Sequence, residues 1–548
     1  MAVQIIDTLR RRRSIVLLST ALAGTALAVA GCGGDSQAGA SPSETASYVP
    51  AGSPFYLEAT TDFNGPQWKQ VDSLAKLFPA YPELRAQLDQ ALQSDSVNFE
   101  TDVKPLLGGR AAIAGLNLPG AKAIQSSITS PDAAAGAAAA AASDQQVVGV
   151  VELAAGKQTA MEALLVKSGA TKSGEHDGAD IYKDGAKTVV AVTPDALVVS
   201  DTQAQLYEAL DAHQAGGDKT LAGTSKFSDA IGKLPADVFG TAYVDIGAAV
   251  QQVGKSSPQL GQAGIAEYQN AVMAASIAAE PEGVRVKGVV TGAPDSGMSN
   301  FSPTLTDKAP ADAIAYVGFS DVSKTVTTAL QQAQATQSGD ARKQFEAISG
   351  QLPALLGVSI DQLAALGAGE QSVVVTSGAK TPGVALASKV DNGAEATKTL
   401  DAVRTALPAL LGMVNSGATA PVAKQVPLAA GVNGWSIPIN KNQSVVYGVD
   451  GDLAIIGSSV PAVTAVQRPT TPLSSSADFQ AGTSGIPGEV ATLVWVNVDQ
   501  ALTAAQKSGA LTGMDAKNLA QLRPVKSVTA WTTAGDTPTF EVYVRIAA

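Results

Sequence analysis

The chain repeats itself, and the repeat limits its fold more than any local pattern does. Lys226-Phe227-Ser228, Leu234-Pro235 and Ala242-Tyr243-Val244-Asp245 return as Asp478-Phe479-Gln480, Ile486-Pro487 and Val494-Trp495-Val496-Asn497, each 252 positions later. Nearer the start, Val49-Pro50-Ala51 returns as Ala309-Pro310-Ala311, 260 positions on. Between these anchors the elements also correspond. Asp102–Leu107 and Arg110–Leu116 match Asp361–Leu366 and Gln371–Ser377, and the helical segment Lys157–Lys167 matches Ala394–Leu407. The predicted strands Ala179–Lys183, Lys187–Thr193 and Ala196–Ser200 match Trp435–Ile439, Ser444–Val449 and Leu453–Ser458. Two copies of this length are domains, not solenoid units.

Each copy mixes short strands of alternating or continuous apolar character with amphipathic helices. Met161, Leu164 and Leu165 fall on one helical stripe, and Asp184-Gly185 and Pro194-Asp195 carry turn chemistry. The expected fold is α+β: two homologous domains from an internal duplication, each a mainly antiparallel sheet with helices packed on one face. The expected boundaries are 48–293 and 309–548, joined by a linker at 294–308. The copies differ most in loops. Asn117–Gln146, with the alanine tract Ala137–Ala142, stands where the second copy has only Gly378–Pro382. Leu411–Asn433 stands where the first has Ser168–Gly178, and both are expected as loops.

The N-terminus has a different character. Arg10–Arg13 precede an apolar run from Ile15 to Ala30, and then comes Cys32, the one cysteine of the chain. A basic start, an apolar stretch and small residues before a cut site make an export signal. The apolar run is short of the roughly 20 residues a spanning helix needs. Val29-Ala30-Gly31-Cys32 resembles the bacterial lipobox. That resemblance implies cleavage after residue 31 and a diacylglyceryl group, carrying palmitate-like chains, on the Cys32 sulfur. It implies a lipoprotein on the outer face of the bacterial cytoplasmic membrane, with residues 32–47 as a flexible tether. Arg12-Arg13-Ser14-Ile15-Val16 leaves both Sec and twin-arginine export open.

Charge narrows the partners. The chain carries −12, and removing a signal with four arginines and one aspartate leaves −15. An acidic body argues against nucleic acid, which needs clustered Lys and Arg. It equally argues against electrostatic adsorption to anionic lipid, so attachment falls to the lipid on Cys32. With that cysteine acylated no disulfide forms, and stability rests on packing.

The lipobox, the polar tether and the opening Val49-Pro50-Ala51 … Tyr56-Leu57-Glu58 resemble a family of actinobacterial surface lipoproteins built on a domain of unknown function. Pro310-Ala311-Asp312 … Tyr316-Val317 fits that family's Pro-Ala-Asp-x-x-x-Tyr opening more closely. The resemblance implies a location and carries over no catalytic residue.

The residues themselves select no chemistry. His176 lies in Gly174-Glu175-His176-Asp177-Gly178, expected as an exposed turn; a metal site there would have to draw on Asp177 or Asp180. His213 falls in the last turn of a predicted helix, where a partial positive charge suits the dipole. Gly457-Ser458-Ser459 lacks the second glycine of a nucleophile elbow, and Gly367-Ala368-Gly369 precedes a strand, not a helix. Trp435, Trp495 and Trp531 sit in predicted strands, with core packing as the default and sugar stacking as the other reading. The sequence therefore leads to a non-enzymatic envelope protein with no catalytic, metal or cofactor residues. Its partners would be a protein or wall component. A carrier of lipid or another apolar ligand is the alternative, and a cell-wall hydrolase stands behind both.

Overall fold

The computed structural model describes residues 40–92, 97–117, 146–184, 188–256, 265–294, 297–324, 356–378, 381–414, 422–439, 444–511 and 515–548. The chain divides into two compact units. The first runs through Pro294 and takes in Asp536–Phe540; the second comprises Asp295–Gly535 and Glu541–Ala548.

In the first unit the strands are β1 (Phe55–Thr60), β2 (Leu107–Gly115), β3 (Val147–Leu153), β4 (Thr171–His176), β5 (Ala179–Asp184), β6 (Thr188–Val192), β7 (Ala196–Ser200), β8 (Gly240–Asp245), β9 (Val272–Glu280) and β10 (Gly283–Thr291). They pair antiparallel in the order β4-β5-β6-β7-β3-β2-β1-β8-β9-β10. The second unit holds β11 (Ala315–Ser320), β12 (Glu370–Thr376), β13 (Gly383–Lys389), β14 (Lys424–Pro427), β15 (Asn433–Pro438), β16 (Ser444–Asp450), β17 (Leu453–Gly457), β18 (Thr492–Asn497), β19 (Val525–Thr533) and, from Glu541 on, β20 (Thr539–Ile546). Its order is β14-β15-β16-β17-β13-β12-β11-β18-β19-β20, the same sequence of neighbours strand for strand. Registers agree as well: Tyr56 faces Tyr243 across β1 and β8, and Tyr316 faces Trp495 across β11 and β18. Antiparallel sheet with helices, the α+β class, is what the alternating and continuous apolar strands call for.

Helices cover both faces of each sheet, which corrects the single covered face expected from sequence. The reason lies in β6 and β7. Val189, Ala191 and Val198 enter one cluster of buried side chains, while Val190, Val192, Leu197 and Val199 enter another. A strand apolar on both sides needs a layer on each. On one face lie α5 (Gln203–Ala215) and α6 (Ser225–Ile231), burying Leu206, Leu210, Phe227 and Ile231. On the other lies α4 (Gln158–Lys167), whose Met161, Leu164 and Leu165 are buried against the second cluster. Each such side chain contributes roughly 1.5–3 kcal/mol by leaving water. The second unit does the same. There α9 (Gly393–Val414) buries Ala396 and Leu400 against Ile437, Tyr447 and Ala454, and α10 (Val460–Gln467) buries Val463 and Val466 on the opposite face.

Two segments expected to be loose are packed. Within the predicted tether, residues 44–47 form a short helix, α1 (Glu44–Ser47), with Thr45 and Ala46 fully buried, and Ala40 N–H donates to Leu234 C=O at 2.9 Å. Within the predicted linker, Phe301 exchanges two backbone hydrogen bonds with Val490 (2.8 and 3.0 Å), and Leu305 is fully buried. Both segments lead into the same stitch. Leu221 N–H donates to Val49 C=O at 2.7 Å, and Leu473 N–H to Ala309 C=O at 2.7 Å.

Two strands also replace expected loops. β4 and β14 pair with β5 and β15 at one margin of each sheet. Asp177 (φ 51°) and Gly178 (φ 78°) close the β4–β5 hairpin in the left-handed geometry a tight two-residue turn requires. Among the described residues no helix is long and apolar enough to cross a membrane.

Candidate functional site

Cys32, the predicted lipid attachment point, lies outside the described residues, as do the signal, the lipobox and the alanine tract. The described chain begins at Ala40, and the segment from Ala40 to Ser47 meets a polar network on β1 and β2.

Glu58 lies on β1 with only 3% of its surface exposed. Its carboxylate accepts from Tyr56 (2.6 Å), from Thr45 Oγ1 (2.7 Å) and from Ser43, while Arg110 on β2 closes an ion pair at 2.5 Å. Ser43 and Thr45 come from the segment that precedes the sheet, so the network clasps that segment to β1. Burial, then the Glu58 charge, pushes the Tyr56 phenol well above its ordinary range, so it stays protonated and remains a donor. Glu152, on β3 beyond Arg110, has its carboxyl raised by burial and then by the Glu58 charge; it accepts from Gly109 N–H at 3.0 Å. Three hydroxyl donors crowd one oxygen of Glu58 and Arg110 holds the other, so the carboxylate is engaged on both oxygens. The hollow beside it, lined in part by Ser43, Tyr56, Arg110 and Phe227, has room for about one water, ≈ 10 Å³.

The second unit builds this place differently. Tyr316 matches Tyr56, but Gly318 stands in the place of Glu58 and Glu370 in that of Arg110. The Glu370 carboxylate, 8% exposed, accepts from Leu305 N–H at 2.6 Å and Thr304 Oγ1 at 2.5 Å and pairs with Lys389 at 3.3 Å. Again a carboxylate fastens the entering segment, from the neighbouring strand this time.

Both histidines are occupied. His176 is the last residue of β4, not part of an open loop. Its ring stacks on Tyr207 at 3.7 Å, and Nε2 lies 2.6 Å from Asp211 and 3.4 Å from Asp177. Asp177 does converge on His176, while Asp180 turns instead to Lys172 at 2.5 Å. Asp211 comes from α5 and could not be found by spacing around His176, because only the packed helix brings it there. Gln214, with its amide nitrogen turned toward Asp177, donates to both carboxylate oxygens at 2.7 and 2.8 Å. His213 is in the last turn of α5 as expected. Its ring stacks on Tyr48 (3.7 Å, 6°), and Nδ1 lies 3.0 Å from Ser47 Oγ, so it is used in packing α1. Glu44 and Asp195 stand near it, and each histidine thus has two carboxylates whose oxygens fall within 4.8 Å of its nitrogen and of each other. A cation could be held there only by competing with the hydrogen bonds just described.

The tryptophans divide. Trp495 and Trp531 are buried in the core, which removes them from any sugar-stacking face. Trp435 is partly buried, with the Arg404 guanidinium 4.0 Å over its ring.

Crystal structures of TP0453 resemble the chain only distantly. Two of its crystal forms share 10% identity at a TM-score of 0.25, covering 46% of this chain and 81% of that one. A third shares 9% at 0.17, over 78% and 97%. No curated protein matches the sequence. A family profile described as protein of unknown function (DUF3352) matches residues 14–542. With nearly its whole length matched, the chain belongs to the DUF3352 family.

Proposed function

We propose that the protein is a lipid-anchored, extracytoplasmic, non-enzymatic lipoprotein that binds an envelope component or serves the envelope structurally. One observation carries the reading: Val29-Ala30-Gly31-Cys32 stands behind an arginine-rich start and an apolar run, and the chain is packed by Ala40. Eight residue steps from Cys32 to Ala40 span at most about 28 Å. A lipid on Cys32 therefore holds the first unit close to the bilayer. Two or more acyl chains on one residue meet the requirement for stable anchoring. Non-enzymatic action is supported by the engagement of Glu58 in holding residues 43–45 and by the use of both histidines in packing.

The two units, in the same reading, are copies from an internal duplication. The shared strand order supports this, as do the paired stitches Val49–Leu221 and Ala309–Leu473. These stitches carry the same offsets of 260 and 252 that the sequence shows.

Labelling cells with an alkyne-bearing fatty acid tests the anchor. The wild-type protein takes up label and Cys32→Ser does not. Crosslinking in intact cells then identifies what the body touches.

A further inference from the structure

Four aromatic residues of the first unit gather at one end of its sheet. Phe63 follows β1 by three residues, and Trp68 lies in the helix α2 (Pro66–Ala75). Phe99 opens a short helical turn (Phe99–Val103) ahead of β2, and Phe239 immediately precedes β8. The Trp68 ring lies 4.8 Å from that of Phe63 and 5.0 Å from that of Phe239, and Phe63 meets Phe99 edge-on at 5.3 Å. All four residues are partly exposed. Trp68 Nε1 donates to Thr60 C=O at 2.8 Å, so the indole has no unmet donor and presents hydrocarbon.

The second unit keeps the fold without them. At the repeat's offsets of 260 and 252, Ser323 stands in the place of Phe63 and Ala491 in that of Phe239. Val358 stands for Phe99, ahead of Asp361–Leu366 as Phe99 is ahead of Asp102–Leu107. The aromatic face belongs to the unit that follows Cys32. It also lies where the chain from Cys32 arrives. Ala40, Ser41 and Pro42 line the hollow beside Glu58 together with Val238 and Arg110. Val238 is the neighbour of Phe239, and Arg110 pairs with Thr60, the last residue of β1 and the acceptor for Trp68.

We propose that this aromatic face is where the first unit rests on the bilayer that holds the Cys32 lipid, at the depth of the headgroups. The contact rests on the anchored reading above. Eight residue steps from Cys32 keep the face within reach, since they span at most about 28 Å. Aromatic rings with one wet side favour the membrane–water interface. Lys104, whose Nζ lies 5.9 Å over the Phe63 ring, can lay its stem on the apolar surface and keep its ammonium in water. Asp62, Glu100 and Asp237 are exposed around the rings, so the contact is apolar and does not call for anionic lipid. Covalent attachment supplies the local concentration that a small aromatic patch lacks by itself.

Lipidated full-length protein on vesicles of neutral phosphatidylcholine, plain or brominated on the acyl chains near the headgroups, tests this. Trp68 is one of four tryptophans, and the other three are Trp435, Trp495 and Trp531 of the second unit. The expected result is a loss of up to about a quarter of the emission in brominated lipid, absent from Trp68→Phe. Protein that sediments with the vesicles yet keeps its emission, or loses as much of it in Trp68→Phe, overturns the docking and leaves the anchor standing. Protein that does not sediment with the vesicles overturns both. Aqueous iodide gives a readout that leaves the face intact. Vesicle-bound wild type should be quenched less than the unlipidated Cys32→Ser protein in the same buffer, and equal quenching contradicts the contact.

Discussion

Arg110 reaches across from β2 to Glu58 on β1 and pairs with it at 2.5 Å, with Glu58 buried and a third of the Arg110 side chain in water. That pair completes the clasp on residues 40–47. Removing the arginine leaves a buried carboxylate held by hydroxyls alone. Arg110→Ala is expected to cost about 2–3 kcal/mol, below the 3–5 typical of a wholly buried pair because Arg110 is partly solvated. Chemical denaturation compared with wild type measures it. A loss under about 0.5 kcal/mol would reduce the pair to a surface contact.

Glu152 gives a pH signature. Its carboxyl is raised in the folded state by burial and by the Glu58 charge. A raised acid binds its proton more tightly in the fold than in the unfolded chain. Its ionisation therefore opposes folding, in full above the folded pKa, and the penalty shrinks as pH falls below that value and is gone below the unfolded pKa. Glu152→Gln keeps an acceptor for Gly109 N–H and removes the charge. The variant should be more stable than wild type near pH 7, with the gap closing toward the carboxylate range. Unfolding midpoints measured from pH 4 to 8 show the trend; a gap that widens on acidification contradicts it.

Leu305 distinguishes a packed strap from a linker. It is fully buried, and its backbone N–H is held by Glu370. Leu305→Ala should cost about 2–5 kcal/mol. In a solvated linker the same change would stay within about 0.5 kcal/mol. Thermal unfolding of the full chain decides between them.

Much of the fold was legible because the strands and helices announce themselves by apolar period. Val147–Leu153, Ala196–Ser200 and Met161-x-x-Leu164-Leu165 read correctly from the sequence. β4 and β14 were not legible. Thr171–His176 and Lys424–Pro427 are mostly exposed and polar, as margin strands that resist further pairing tend to be, so no apolar alternation marks them. The second helical layer was foreshadowed by the continuous apolar runs of β6 and β7, which a single covered face could not accommodate. Residues 40–47 and 301–308 read as linkers because their composition is small and polar. Their order comes from distant partners, Glu58 and Glu370, that no local pattern names. Asp211 escaped for the same reason: α5 brings it to His176 from 35 residues away.

The anchor is the account's central claim, and fatty-acid labelling of Cys32→Ser beside wild type tests it most directly. The account predicts that wild-type protein is labelled, cut before Cys32 and recovered with membranes. The variant should be unlabelled, uncut at that position and, once solubilised, intact in its folded units. A wild-type protein that takes no label, or a Cys32→Ser protein that matures normally and stays with the membrane, would contradict it.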